Sequence, residues 1–267
     1  MYKKFIKLII IFGVYFLLIF SLEELSKFIF IRDEFLDINL DYFLFIDTFI
    51  SLILISVSLI YIRQTPSIIK NKKTTVNYEY IFLVLFMLIL YRTIEDPFLR
   101  IEIITEELKI PDVLNFKTPS FLSMTITFIN VVILTPILEE LFFRKILLSV
   151  FSKKNMVIGI IATSFLFAMI HINYLNDILR LITFFTFGII SCLIYKRFTL
   201  IYSILFHAGY NFIWYLIKMG IIPYWYILKK LNFGFVYWAI ISTSLISLVY
   251  ILFRVVKKLD TPAPASL

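Results

Sequence analysis

Three short motifs place ionisable and amide side chains inside strongly apolar segments. They are Glu139-Glu140-x-x-x-Arg144, Phe167-x-x-x-His171 and His207-x-x-x-Asn211. Because an ionisable side chain in hydrocarbon costs at least ~2.5 kcal/mol on insertion scales, a residue of this kind inside a membrane segment indicates function by default. A carboxylate near imidazoles is also a set of groups that can take a proton from water and return it.

The chain has only two histidines, and both lie in these apolar segments rather than in the polar connections. A structural histidine that hydrogen-bonds a neighbouring helix is the alternative for either one alone. Two histidines together with a pair of acidic residues favour a site that does chemistry.

Helical spacing separates the roles of the two adjacent carboxylates. Glu140 is four residues before Arg144 and shares its helix face, so the two are predicted to form a structural ion pair. Glu139 is rotated by about 100° from Glu140 and is left to face the histidines. The same spacing places Phe167 one turn before His171. An ordinary salt bridge near a helix end is the alternative for Glu140 and Arg144.

Two further features bear on how these residues meet. Pro136 cannot donate to the carbonyl of Val132, so it is predicted to kink the helix just where the carboxylates begin. Glu139 and His171 are at similar sequence distances from the turn at 152–155. At ~1.5 Å per residue they fall within roughly 5 Å of the same depth, so they are predicted to meet.

The elements that must position these motifs are membrane-spanning helices. The chain is 61% hydrophobic and 16% charged, a balance that suits lipid-facing surfaces, and its long apolar runs lack the short alternating pattern of barrel strands. The predicted fold is all-α, a polytopic transmembrane bundle with the active site inside. Eight spans are predicted, at about 5–22, 43–62, 79–94, 120–148, 156–174, 178–195, 198–217 and 236–253.

The net charge of +8 reflects topology rather than nucleic-acid binding, because Lys and Arg form short clusters between apolar segments. Their distribution predicts that both termini are cytoplasmic. The first apolar run is read as a retained anchor; the alternative is a signal peptide. Residues 1–260 are predicted to form one integral membrane domain with its motif-bearing core at 120–215, and 261–267 a disordered tail. The stretch from Glu95 to Thr118 is read as a polar connection, either a solvated loop or a surface helix or lid.

The three motifs, in this order and each in its own apolar span, resemble the CPBP family of intramembrane proteases, which includes CAAX prenyl endopeptidases and bacterial Abi-type and bacteriocin-immunity proteins. The resemblance implies an endopeptidase in which Glu139 is the general base and His171 its partner in holding the nucleophilic water. His207 and Asn211 would donate hydrogen bonds to the oxyanion, and Glu140, Arg144 and Phe167 would support the site.

The resemblance leaves several points open. A metal-free mechanism is favoured because the sequence lacks a His-Glu-x-x-His helix; the alternative is zinc held by Glu139, His171 and His207. Expected partners are membrane lipid and a peptide or membrane-protein substrate, prenylated or not, with no nucleic acid. The alternative function is a non-proteolytic scaffold or immunity protein that binds a peptide or membrane partner. Residue usage suggests a prokaryotic cell membrane, and the oligomeric state does not follow from the sequence.

Overall fold

A computed structural model describes residue 13 and residues 36–64, 77–106, 120–171 and 178–257. Most of the predicted first span and the predicted tail at 261–267 lie outside these residues. Within them the chain forms nine helices and no strand, which confirms the all-α prediction. The helices are α1 (Leu36–Gln64), α2 (Tyr78–Leu99), α3 (Ile101–Thr105), α4 (Phe121–Val150), α5 (Met156–Met169), α6 (Ile178–Arg197), α7 (Leu200–Lys218), α8 (Tyr224–Leu231) and α9 (Phe235–Lys257).

The chain is a helical integral membrane protein. Four of the described helices, α4, α6, α7 and α9, are long and apolar enough to cross a bilayer, while α1 and α5 contain shorter apolar stretches. Large apolar side chains such as Phe121, Val157, Phe235 and Ile246 lie exposed along these helices, as expected where lipid rather than water is the solvent. The total of eight spans stays a prediction.

The helices group into two compact units. The first unit comprises Met1–Lys70 and Pro119–Gly159, and the second comprises Asn71–Thr118 and Ile160–Leu267. In the first unit α1 packs along α4, and in the second α2 packs against α6, α7 and α9. The motif with the two carboxylates therefore belongs to the first unit, and both histidine motifs belong to the second. The prediction of one membrane domain at 1–260 remains a prediction.

Helix α4 is not a uniform α-helix. Its N-terminus is capped by the Ser120 hydroxyl, which accepts a hydrogen bond from the Ser123 amide at 3.0 Å. Wide π-helical turns at Phe128–Leu134 and Leu141–Leu147 flank the α-helical turn Thr135–Glu140. Such turns are frequent at functional sites because they redirect side chains. The kink expected at Pro136 stays a prediction.

The expected polar connection begins later than the sequence suggested. Helix α2 continues past Glu95 to Leu99, with Pro97 inside its last turn, and α3 follows directly. The prediction that the connection starts at Glu95 is therefore wrong. The physical reason is that Glu95 and Asp96 find hydrogen-bond donors within the second unit, so these carboxylates do not require water.

Candidate active site

The acidic motif in α4 is buried. Glu139 is 5% exposed, and Glu140 and Arg144 are completely buried. Nε of Arg144 donates to Oε2 of Glu140 at 3.1 Å, which is the ion pair predicted from their spacing. The guanidinium carbon of Arg144 also lies 5.8 Å from the centre of the Phe143 ring. Breaking such a pair leaves an uncompensated buried charge; that Glu140 and Arg144 have a structural role distinct from that of Glu139 stays a prediction.

His171 follows the C-terminal end of α5, and its ring is held by the backbone one turn earlier. Nδ1 of His171 lies 2.8 Å from the carbonyl oxygen of Phe167. A carbonyl only accepts, so Nδ1 bears a proton, and in a neutral ring Nε2 is then the acceptor nitrogen. The imidazole also stacks on Phe184, with 4.6 Å between ring centres. This fixed tautomer suits the role expected of His171.

His207 lies in α7, and it shares an aromatic neighbour with His171. The buried ring of Phe167 lies 4.4 Å from the His171 ring and 5.7 Å from the His207 ring. Phe187 of α6 contacts His207 edge-on at 5.0 Å. Asn211 lies one turn after His207 in the same helix and is partly buried. The second unit thus brings Phe167, His171 and His207 into one aromatic cluster; their roles in a site stay predictions.

The sequence did not predict a polar cluster that lies in α2. Arg92 and Glu95, one turn apart, form a buried ion pair, and Glu95 is only 2% exposed. The hydroxyl of Tyr210 in α7 donates to Oε2 of Glu95 at 3.0 Å. The Arg92 guanidinium lies over the rings of Tyr210 and Trp214, at 5.1 and 4.6 Å. The available signal was the spacing of Arg92 and Glu95 in an otherwise apolar helix.

A second missed cluster surrounds Asp96 at the end of α2. Asp96 accepts hydrogen bonds from the hydroxyls of Tyr224 and Tyr237, and the Arg100 guanidinium packs over the Tyr224 and Trp225 rings. Burial, followed by the negative charge of Asp96, raises the pKa of Tyr224 above its usual range. Tyr224 therefore stays a neutral donor at physiological pH. This cluster ties α8 and α9 to α2.

Within either unit, the described residues include no group of three or more His, Cys, Asp or Glu side chains placed to hold a metal ion. The zinc alternative requires Glu139 from the first unit and both histidines from the second. It stays a prediction, as does the meeting of Glu139 with His171. The described residues do provide a buried carboxylate, Glu139, whose neighbour Glu140 is paired with Arg144, and an imidazole, His171, whose Nδ1 bears a proton.

These observations define a helical membrane protein with acid–base groups buried among its spanning helices. Residues 121–213 match the family model described as type II CAAX prenyl endopeptidase Rce1-like, and this segment contains all three motifs. The resemblance to the family of intramembrane CAAX-type proteases is thereby confirmed, and it supports an intramembrane protease as the class of this chain. No curated protein and no solved structure matches the chain.

Proposed function

We propose that this chain is an endopeptidase that hydrolyses a peptide bond in a membrane-associated or prenylated substrate, using water activated by Glu139 and His171. The observation that carries the proposal is that the family match at residues 121–213 spans every position of the three motifs. The burial of Glu139 and the tautomer of His171 support the same assignment.

In the proposed reaction the Glu139 carboxylate accepts a proton from water as the water oxygen attacks the scissile carbonyl carbon. Nε2 of His171 holds that water in line for attack. The carbonyl oxygen becomes an oxyanion, to which His207 and Asn211 donate hydrogen bonds. As the tetrahedral intermediate collapses, the carbon–nitrogen bond breaks and Glu139 returns its proton to the leaving amine. Glu140 and Arg144 keep α4 in place throughout.

Several finer points belong to the same proposal. The reaction is metal-free; loss of cleavage on chelation, restored by stoichiometric zinc, would replace this mechanism with one in which Glu139, His171 and His207 hold zinc and water. Membrane lipid and a peptide or membrane-protein substrate are the partners. The chain acts in a prokaryotic cell membrane with both termini in the cytoplasm, which reporter fusions at each terminus would test.

The experiment compares peptide termini in membranes from cells that express the wild type, Glu139→Gln or Glu102→Gln at matched levels. Glu102 is an exposed carboxylate outside the motifs and serves as the control. New termini are expected with the wild type and with Glu102→Gln, and they identify the substrate and the scissile bond. Termini that persist with Glu139→Gln would contradict the proposed general base. A phenotype that is lost on deletion but kept by Glu139→Gln would favour the scaffold function.

A further inference from the structure

Helix α7, which holds His207 and Asn211, is fixed against α2 by three successive contacts. Gly209 lies so close to α2 that an added Cβ would be 2.5 Å from Cδ2 of Leu88. One residue later the Tyr210 hydroxyl bonds to Glu95, and one turn beyond that the Trp214 ring packs on Arg92. These contacts, at Gly209, Tyr210 and Trp214, extend over more than one turn of α7 and restrict both its rotation and its axial position.

At the centre of this contact is an ion pair within α2, which meets Tyr210 and Trp214 of α7. Arg92 and Glu95 have side chains that are 9% and 1% exposed, so both lose most of their hydration. Burial of an ion pair often contributes no net stability compared with well-packed apolar residues, and its best-attested use is to select one arrangement of neighbouring elements. The directional bond from Tyr210 to Glu95 gives that selection a defined geometry.

The contact continues from Tyr210 to the imidazole. The Tyr210 ring lies 4.9 Å from the Phe187 ring, and Phe187 in turn lies 5.0 Å from the His207 ring. Phe187 is buried, as are Tyr210 and His207. Because close-packed interiors transmit small displacements, a rotation of Tyr210 about the α7 axis moves Phe187 and His207 together.

We propose that Arg92 and Glu95 are positioning residues for the active site: through Tyr210 they set the rotation of α7 and thereby the orientation of His207 and Asn211. They touch no reacting atom in this scheme and act only through α7. The expected loss of catalysis rests on the proposed function, whereas the expected change in the orientation of His207 does not.

The test uses the fact that the chain has only two histidines. The full-length protein is labelled with isotopes in histidine alone, purified into detergent micelles, and its two imidazoles are observed by NMR, with His171→Gln assigning the signals. Tyr210→Phe and Glu95→Gln are expected to shift the ring signals of His207 and to leave those of His171 in place. Tyr237→Phe is the matched control, since it removes a buried tyrosine hydroxyl that donates to Asp96 on the same helix.

Tyr210→Phe removes a single oxygen and keeps the ring, so it is the variant least affected by misfolding, and thermal unfolding checks that each variant is folded. His207 signals that match the wild type in folded Tyr210→Phe and Glu95→Gln would overturn the proposal. So would an equal shift in Tyr237→Phe. If the wild type cleaves the identified substrate, kcat should fall at least tenfold in Tyr210→Phe with little change in KM. A wild type that cleaves nothing refutes the proposed function but leaves the NMR result decisive for positioning.

Discussion

The carbonyl oxygen of Phe167 accepts a hydrogen bond from Nδ1 of His171 at 2.8 Å, one helical turn before it. The side chain of Phe167 meanwhile contacts both imidazole rings of the chain. One residue thus sets the tautomer of His171 through its backbone and packs the two histidines through its ring. The spacing of Phe167 and His171 in the sequence has its physical basis in this double contact.

Phe167→Ala should destabilise the protein by about 3 kcal/mol, at the lower end of the range for Phe→Ala in cores. Most of the cost is the cavity and the lost ring contacts. The free energy of transferring the side chain out of the core contributes little, because the helices of the unfolded state remain in lipid. Thermal unfolding in one detergent measures the difference. The control is Phe165→Ala on the same helix, where the ring is 48% exposed and little change is expected. Equal losses in the two variants would contradict the packing role of Phe167.

The buried pair of Glu140 and Arg144 predicts an asymmetric mutational pattern. Glu140→Gln leaves a guanidinium that cannot lose its proton, so it should cost about 3–5 kcal/mol. Arg144→Met leaves a carboxylate that can take up a proton, so its cost should be smaller. The double variant Glu140→Gln with Arg144→Met leaves neither charge buried, so it should lie closer to the wild type than Glu140→Gln does. Additive losses in a double-mutant cycle of thermal unfolding would rule out the pair.

The sequence predicted those parts of the site that depend on local helical geometry. The pairing of Glu140 with Arg144 and the proximity of Phe167 to His171 follow from a separation of four residues, and both are present in the structure. The helical class followed from long apolar runs in the same way.

Contacts between distant segments could not be predicted in this way. Arg92 and Glu95 looked like the border of a loop, because their partner Tyr210 is far away in the sequence and only the packing of α2 on α7 brings them together. Local spacing in α7 gives no signal for the hydrogen bond from Tyr210 to Glu95. Periodicity identifies the face of a helix but does not identify the helix that covers it.

Helix α6 lies close to α5 at Gly188, beside the helix that ends in the His171 motif. A Cβ at Gly188 would be 2.9 Å from both Cα and Cβ of Ser164, so Gly188→Ala must separate the two helices and should cost about 1–3 kcal/mol. Gly209→Ala is the comparison, because its new Cβ would be 2.5 Å from Cδ2 of Leu88, the end of a flexible side chain that can rotate away, and not from backbone. Thermal unfolding should show the larger loss for Gly188→Ala, and the reverse order would contradict this account of the α5–α6 contact.

Asn211 provides the most direct test of the proposed oxyanion contact. If its amide donates to the oxyanion only in the transition state, Asn211→Ala should lower kcat by about 10²–10³-fold with little effect on KM. Asn211→Asp keeps the shape of the side chain but replaces the donor with a second oxygen, so its loss should be at least as large. Steady-state cleavage of the substrate identified from the peptide termini measures both variants, and thermal unfolding confirms that they fold. A change in KM alone, or an Asn211→Asp variant with wild-type kcat, would show that Asn211 binds the ground state or packs α7 instead.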